Sequence, residues 1–432
     1  MVRRTAQDIR RGNRFDVLRC VYAVPGQVTR QDIAVATGLS FATVANLVAE
    51  LLEAEVLAEA GHEDSSGGRP RARLEVNAGR GSLIGIDVAE TTLQAQLFDL
   101  KLRVLHSVEM PLPVPLPLQE AAEAGEAREA LEVRPADVVD TIAAAVEELM
   151  TASGTRPAQV LGAGVSVPGV VQREGGVSVF SPYWSWREVP LGALLAERLG
   201  MPLYLDNPLK ASTVAEMWFG AGRDVDDLVV VTLRGGVGAG IAIGGALYRG
   251  AANRAGEWGH TRLVDGGREC RCGKRGCVEA YVSTAGVART VRETAPDGAM
   301  TGHGDEAAVV DALARAAAAG DPAAVEAVTR TALHLGTAVA DLLNLFDPQV
   351  LVIGGPTAER LGERLLRETR DVVARHALPH ALDSVELRLS AVRNNPVSLG
   401  AATFALEGFL DDRETFGPVK AGRRAARTRP VA

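Results

Sequence analysis

The sequence has little cysteine, no long apolar run and no excess of positive charge. Four of its 432 residues are cysteines, and since nothing indicates an oxidising compartment, disulfide bonds are disfavoured. No stretch approaches the roughly 18 apolar residues that a membrane helix needs, and the first residues do not read as a signal peptide. We therefore expect a cytoplasmic protein that does not associate with membranes.

The charge of the chain is acidic overall but unevenly distributed. The 46 basic and 54 acidic residues leave a net charge of −8, which argues against a general nucleic-acid binder. Basic residues nevertheless cluster near both ends, at Arg3, Arg4, Arg10, Arg11 and Arg14 and again at Lys420, Arg423, Arg424, Arg427 and Arg429. Such local patches can still meet phosphate. With 47% hydrophobic residues, the length predicts two or three domains with ample core.

Three of the four cysteines lie close together behind a histidine, as His260, Cys270, Cys272 and Cys277. Thiolates and an imidazole are the ligands of a closed tetrahedral zinc site. The alternatives are incidental thiols in a loop or a disulfide. Because the intervening residues are rich in glycine and charge, we prefer zinc, and we expect it to be structural since four protein ligands leave no position for a reacting water.

Apolar residues at helical spacing predict three short helices near the N-terminus. The first ends before Pro25, the second begins at the N-cap Thr29 and ends at Gly38, and the third begins at the N-cap Ser40. Two capped helices joined by a short glycine turn predict a helix-turn-helix.

The polar face of the third helix is the candidate DNA-reading surface, formed by Ser40, Phe41, Thr43 and Asn46. Asparagine can bond adenine in bidentate fashion, so Asn46 is the best candidate base reader, while Ser40 and Thr43 could reach phosphate or a thymine methyl. The alternative is a solvated helix face that carries these residues by chance.

Residues 56–59 and 69–76 read as two strands around a polar, glycine-rich loop. The segment concentrates Arg69 and Arg71 near the loop, and narrow minor grooves attract such arginines. We interpret residues 1–80 as a winged helix-turn-helix domain; the alternative for this segment is a basic solvated hairpin or linker.

The glycine-rich run at 233–241, the Gly-Glu-Trp-Gly-His motif at 256–260 and the Cys-x-Cys-Gly-x-x-Gly-Cys-x-Glu run at 270–279 together resemble the ROK family of repressors and sugar kinases. The resemblance extends from about Gly12 to about Leu410. It implies an α/β chain whose body is two-lobed and actin-like (ribonuclease-H-like). The first lobe is expected at 81–207 with a returning helix at about 390–412, the second at 208–389 with the zinc loop, and a basic tail at 413–432.

Three departures from the kinases of this family favour a regulator. The kinases carry Asp-x-Gly-Gly-Thr where this chain has Ala89 and Glu90, usually glycine where it has Arg234, and a catalytic aspartate where it has Pro208. A carboxylate near the phosphates repels a nucleotide, and proline cannot accept a proton. The prediction is therefore a transcriptional regulator without enzymatic activity, most simply a repressor; the alternatives are an active sugar kinase with an added DNA-binding domain, or a DNA-binding protein whose body is only a scaffold.

The resemblance also implies an effector site between the lobes, formed by Asn207, Glu257, His260 and Glu279. Carboxylates and an amide that converge on one cleft suit a polyol. The alternative is that Glu257 and Glu279 are merely exposed loop carboxylates. The expected partners are operator DNA, a sugar or sugar derivative, and further copies of the chain in a homodimer or homotetramer.

Overall fold

The computed structural model describes residues 6–62, 71–113, 133–181, 183–296, 298–302, 305–411 and 416. Arg69, the arginines at positions 3 and 4, and the basic tail apart from Phe416 lie outside the described residues. The chain divides into a smaller unit, formed by residues 1–82, 99–101 and 406–432, and a larger unit, formed by residues 83–98 and 102–405.

The smaller unit begins with three helices and a small antiparallel sheet. The helices are α1 (Ala6–Ala23), α2 (Arg30–Thr37) and α3 (Phe41–Glu53), and the strands are β1 (Val28–Thr29), β2 (Leu57–His62) and β3 (Ala72–Val76), in the order β1-β3-β2. Thr29 and Asp32 form a capping box at the start of α2, and Gly38 ends that helix with a φ of 67°. These two boundaries confirm the predicted caps.

The apolar residues of α1, α2 and α3 form one core. The fully or almost fully buried side chains are Val17, Leu18, Val21, Ile33, Val44, Leu47, Val48 and Leu51. Burying each such side chain contributes roughly 1.5–3 kcal/mol to the stability of the fold. The apolar positions that repeat at helical spacing in the sequence are therefore the ones through which these three helices pack.

The larger unit contains two five-stranded sheets with the same strand order. One sheet has the order β11-β7-β4-β5-β6, and its strands are β4 (Ser82–Val88), β5 (Thr92–Asp99), β6 (Val104–Pro111), β7 (Val160–Ser166) and β11 (Leu203–Asp206). The other has the order β14-β13-β12-β15-β16, and its strands are β12 (Leu228–Leu233), β13 (Val237–Ile243), β14 (Ala246–Leu247), β15 (Val350–Gly354) and β16 (Glu386–Leu389). Numbered along the chain, each sheet reads 3-2-1-4-5, so the two lobes repeat one topology.

A third, three-stranded sheet and a set of helices complete the unit. The strands are β8 (Val170–Gln172), β9 (Val177–Ser181) and β10 (Trp186–Val189). The helices are α4 (Pro135–Ser153), α5 (Leu191–Leu199), α6 (Pro208–Phe219), α7 (Glu279–Val282), α8 (Thr284–Thr294), α9 (Glu306–Ala318), α10 (Pro322–Phe346), α11 (Pro356–His376) and α12 (Pro396–Leu410). Within the described residues, no helix has both the length and the apolar character needed to cross a bilayer.

Each lobe has its own apolar core. One core gathers side chains of β4, β5, β7, α4 and α5, and the other gathers side chains of β12, β13, β15 and the helices α8 to α11. The helix α12 lies directly on β4 and β7, because a Cβ on Gly164 would stand 1.7 Å from the Ala401 carbonyl oxygen. A glycine is required there since the two backbones approach too closely for any side chain.

Candidate functional site

A cavity of about 290 Å³ lies in the larger unit between the two lobes. Its lining residues include those at the ends of β4 and β11, in the turn between β12 and β13, and in the short helical turn Glu257–His260. All four residues predicted to bind the effector line this one cavity, namely Asn207, Glu257, His260 and Glu279. Residues spread over more than 70 positions of sequence therefore converge on one site.

Asn207 caps α6 as well as facing the cavity. Its Oδ1 accepts a hydrogen bond from the Lys210 backbone N–H at 3.0 Å, and its Nδ2 donates to the Gly169 carbonyl at 3.3 Å. Pro208 then occupies the first position of the helix, where its missing N–H costs nothing. The amide of Asn207 is thus largely committed to the fold, and the neighbouring position offers no group that accepts a proton.

Asp206 is fully buried at the end of β11 and does not line the cavity. Its carboxylate pairs with Arg249 and accepts a hydrogen bond from Asn253 Nδ2 at 3.0 Å and another from the Asn207 N–H at 2.9 Å. A carboxylate held by an arginine and two further donors is a poor general base.

Three glutamates line the cavity, and two of them, Glu257 and Glu279, differ in how much of their bonding capacity is used. Glu279 is buried, and its Oε2 accepts a hydrogen bond from the Val237 N–H at 3.1 Å. Glu257 is open to the cleft, whose walls still remove enough water to raise the pKa of its carboxyl above the ordinary value; His260 and Lys210 act in the opposite direction. Glu257 is consequently the carboxylate with acceptor capacity left for a ligand.

Arg234, in the turn between β12 and β13, forms an ion pair with Asp87 at the end of β4. Its NH2 lies 3.0 Å from Asp87 Oδ2, and Asn395 Nδ2 donates to the same oxygen at 3.1 Å. Burial lowers the pKa of Arg234, but Asp87 and Glu90 raise it by more. The guanidinium is therefore a permanent cation, carried by the second lobe and bonded to Asp87 of the first.

A second cavity of about 220 Å³ lies beside Arg234 and Thr232, which line both cavities. Its lining includes the carboxylates of Asp87, Glu216 and Glu359. The only arginine in that lining is the one already paired with Asp87. These carboxylates would repel the phosphates of a free nucleoside triphosphate.

His260, Cys270, Cys272 and Cys277 come together as a candidate metal site, with all four ligand atoms within 4.8 Å of one another. The sulfurs of Cys272 and Cys277 are 3.7 Å apart, and Cys270 Sγ lies 3.6 Å from His260 Nδ1. A tetrahedron with metal–sulfur bonds of about 2.3 Å has edges of about 3.8 Å, whereas disulfide sulfurs lie about 2.05 Å apart. The donor set and its spacing fit a metal ion.

The loop that carries these cysteines is anchored to the helices behind it by Arg268. Its NH1 donates to the Gly286 carbonyl and its NH2 to Thr290 Oγ1, each at 3.0 Å, while its backbone N–H donates to the Tyr281 hydroxyl at 2.9 Å. Burial also raises the pKa of the Cys270 thiol, so a bound cation is what would hold that sulfur as a thiolate.

The helix α3 presents a partly exposed polar face in the smaller unit. Phe41 is 54% exposed and Asn46 is exposed. The hydroxyl of Ser40 accepts a hydrogen bond from the Thr43 N–H at 3.1 Å and lies 2.8 Å from Thr43 Oγ1, so these two side chains are engaged in capping. Arg71 is exposed just before β3.

Not all of the N-terminal arginines are free to meet phosphate, in contrast to the expectation from charge clustering. Arg14 is 5% exposed; it donates to the Leu410 carbonyl at 2.6 Å and contacts Glu50. Arg10 pairs with the same Glu50 carboxylate, and Arg11 pairs with Asp411. These side chains hold α1 against its neighbours in the smaller unit, which charge counts along the sequence do not reveal.

Several residues of the cleft region were not predicted from the sequence. Arg249 and Asn253 bind Asp206 from the loop before the Glu257 turn, and Arg271 lines the cavity from between two candidate metal ligands. The resemblance covered the flanking Gly250 and the cysteines, but no local pattern indicated which way these intervening side chains point.

The sequence profile of the ROK family matches residues 83–407. A putative xylose repressor of Caldicellulosiruptor sp. (strain Rt8B.4) is 30% identical over 387 residues, covering 89% of this chain and 92% of that protein. A solved ROK family transcriptional regulator, a homolog of the E. coli MLC protein, has a TM-score of 0.74 at 24% identity and covers 93% of this chain and 97% of its own. A ROK family glucokinase of Streptomyces griseus, solved with glucose and AMPPNP, has a TM-score of 0.63 at 29% identity and covers 76% of this chain and 100% of its own.

These similarities define the class of protein. The larger unit has the mixed α/β fold that transcriptional regulators and sugar kinases of one family share. The chain belongs to the ROK family. The recognition made from the glycine-rich, Glu-x-Gly-His and cysteine motifs is thereby confirmed.

Proposed function

We propose that this chain is a sugar-responsive transcriptional repressor that binds operator DNA with its smaller unit and a sugar in the cleft of its larger unit. The observation that carries the proposal is the extent of its similarity to a xylose repressor, which covers 89% of the chain. The glucokinase structure aligns in full with only 76% of the chain, so a kinase-like body accounts for part of the protein and leaves a further domain to be explained.

In this proposal the smaller unit is a winged helix-turn-helix domain. Helices α2 and α3 with the turn at Gly38 form the helix-turn-helix, and the β2–β3 hairpin is the wing. The exposed Phe41 and Asn46 are suited to contact a thymine methyl and an adenine edge. Arg71, together with Arg69 outside the described residues, supplies phosphate or minor-groove contacts. A twofold operator requires a homodimer or a homotetramer, and operator binding requires a cytoplasmic protein.

In the larger unit, Glu257 is the proposed principal contact of the sugar hydroxyls, with Asn207, His260 and Glu279 as further wall residues. Nδ1 of His260 faces Cys270, which leaves Nε2 as the nitrogen available to a ligand. A zinc ion bound to His260 and the three cysteines has a structural role: it stabilises the loop and orients the imidazole. His260 would then couple the metal to the pocket wall.

The rival function is an active ATP-dependent sugar kinase with an added domain. Three features oppose it, namely Pro208 at the position of the base, the commitment of Asp206 to Arg249, and the Arg234–Asp87 pair beside an acidic second cavity. Phosphoryl transfer depends on positioning and on electrostatic stabilisation of the phosphates. We therefore propose that the family's catalytic machinery is absent from this chain.

The proposal is tested by selecting operator fragments from the source genome with the purified chain, then adding xylose, glucose and other sugars to the complexes. We expect a discrete protected site and its release by at least one sugar. Glu257→Ala should keep operator affinity and lose release, whereas Glu269→Ala, an exposed carboxylate of the same region that pairs with Arg275, should behave as wild type. Absence of any discrete site would refute the repressor function; a site that no sugar releases would refute sensing.

A further inference from the structure

Two arginines line the cleft, and they differ in their partners. Arg234 is paired with Asp87. Arg271, which stands between Cys270 and Cys272, also lines the cavity, and across the described part of the chain no carboxylate forms an ion pair with it. Its guanidinium carbon lies 5.6 Å from the centre of the Tyr183 ring. A guanidinium over a ring keeps its N–H donors at the edge of the plane, where they can bond a ligand.

The backbone that carries Arg271 is held in place from several directions. Cys270 and Cys272 are both members of the candidate metal site. The Cys270 N–H donates to the Lys274 carbonyl at 2.9 Å, and the Gly273 N–H donates to the Cys270 carbonyl at 3.0 Å. An arginine on a fixed loop loses less entropy when it binds an anion than one on a mobile loop.

Two of the cavity's carboxylates already interact with other protein groups, and the third is suited to the hydroxyl groups of a ligand. Glu279 accepts a hydrogen bond from the Val237 N–H. Glu90 lies against the turn at Gly235, where an added Cβ would stand 2.6 Å from its Oε1, and it interacts with Arg234. Glu257 remains for hydroxyl groups. The Tyr183 and Arg271 end of the cavity is thus the end with an unpaired cation and an aromatic face.

We infer that Arg271 binds an anionic substituent of the effector, a carboxylate or a phosphate, so that the cleft selects a sugar acid or a sugar phosphate over the neutral sugar. This inference rests on the proposed sensing function of the cleft. The planar guanidinium matches both oxyanions with two parallel N–H donors, and Tyr183, from the opposite lobe, presents its ring to the guanidinium.

The test is calorimetric titration of the full chain with glucose, galactose and mannose, each as the neutral sugar, the uronate and the 6-phosphate. We expect at least one anionic form to bind about tenfold or more tightly than its neutral parent, because charge-assisted hydrogen bonds are the stronger ones. Comparison of uronate with 6-phosphate identifies the anionic group. Arg271→Gln should remove this advantage and leave the affinity for the neutral parent unchanged, and Arg271→Lys should retain part of it.

Arg275→Gln is the matched control. Arg275 belongs to the same loop, pairs with Glu269 and does not line the cavity, so its variant should bind like wild type. Metal content and thermal unfolding are compared for all variants. The inference is overturned if wild type binds no anionic sugar more tightly than the neutral parent, which includes the case in which it binds no anionic sugar at all. It is also overturned if Arg271→Gln weakens the binding of neutral and anionic sugars equally. Binding of a neutral sugar alone would leave the sensing function standing.

Discussion

At the residue scale, Arg234 and Pro208 change what the cleft can do while the surrounding fold is kept. Arg234 takes a place where the family's kinases usually have glycine, and its charge is balanced by Asp87 within the protein. Pro208 starts α6 without an N–H and without a proton acceptor. Under the proposed function, Arg234 alters the electrostatics where the family's kinases bind phosphate, and Pro208 removes their base.

Because these two changes act on different parts of phosphoryl transfer, restoring one is not expected to restore activity. We predict that Pro208→Asp produces no sugar phosphate with ATP across a panel of sugars, since the Arg234–Asp87 pair and the acidic second cavity remain. Product formation over a long incubation is the measurement. A kinase of this family assayed in parallel serves as the positive control, and turnover by the purified Pro208→Asp variant would contradict the prediction.

His334 on α10 gives a prediction about pH. Its ring lies 4.5 Å from the Tyr281 ring, and burial, with Arg268 nearby, lowers its pKa from 6.5 to about 4. As the pH falls from about 6.5 to about 4, the unfolded chain binds a proton that the folded chain does not. The stability that His334 contributes is therefore present above that range and is lost through it.

The change to make is His334→Phe, which keeps a ring and does not titrate. We expect the free energy of unfolding, measured in urea at several pH values, to fall less between pH 6.5 and 4 than it does in wild type. His380→Asn, which replaces a histidine whose side chain is 95% exposed, should leave the wild-type slope in place. Equal slopes for wild type and His334→Phe would contradict this assignment.

At the scale of elements, α3 combines a buried apolar stripe with an exposed polar face. The stripe packs the helix, and in the proposed function the exposed face contacts DNA, so the two roles can be separated by mutation. We predict that Asn46→Ala costs on the order of 1–3 kcal/mol at one base pair and relaxes preference there. Arg71→Ala should instead weaken binding to all sequences and reduce its salt dependence. Competition assays with single-base operator variants distinguish the two effects.

The loop from residue 256 to residue 279 is the second element with a separable role. It contains few apolar residues, and we propose that a bound metal supplies the order that an apolar core otherwise provides. We predict about one zinc per chain, and we expect Cys272→Ser to lower metal content and thermal stability. Elemental analysis of protein purified without added zinc is the measurement. Cys20→Ser, which changes the one cysteine outside the cluster, is the control; folded wild type without metal would exclude this role.

At the scale of the whole molecule, the proposed function joins a DNA reader to a ligand cleft in one chain. The two five-stranded sheets share one strand order, and the cavity lies where their lobes meet. A ligand that binds one arrangement of the lobes more tightly shifts the population toward it. Release of an operator requires that this arrangement also has the lower affinity for DNA.

The proposed homodimer or homotetramer leads to a prediction about the operator. We expect an inverted repeat whose half-sites are about one helical turn or a multiple apart, because a twofold protein assembly is mirrored in its site. Footprinting gives the half-site spacing, and sedimentation of the chain with and without the operator gives the number of copies. Inserting half a helical turn between half-sites should abolish tight binding. A monomer on a single half-site would contradict the prediction.

The sequence by itself determined the features that depend on local pattern. The N-cap at Thr29 and the cluster of His260 with three cysteines were predicted from neighbouring residues, and the structure contains both. Helix periodicity and metal-ligand spacing act over a few residues, so they can be read along the chain. The long motifs also sufficed to recognise the family.

Only the tertiary structure decided which charges are paired and which side chains face the cleft. The burial of Asp206 and its bond to Arg249, across 43 residues of sequence, could not be read from the sequence. The Arg234–Asp87 pair joins positions 147 residues apart, and Arg271 lines the cavity because two flanking cysteines orient its loop. Ion pairs and cavity linings depend on distances between elements that are remote in sequence, and a single sequence carries no measure of those distances.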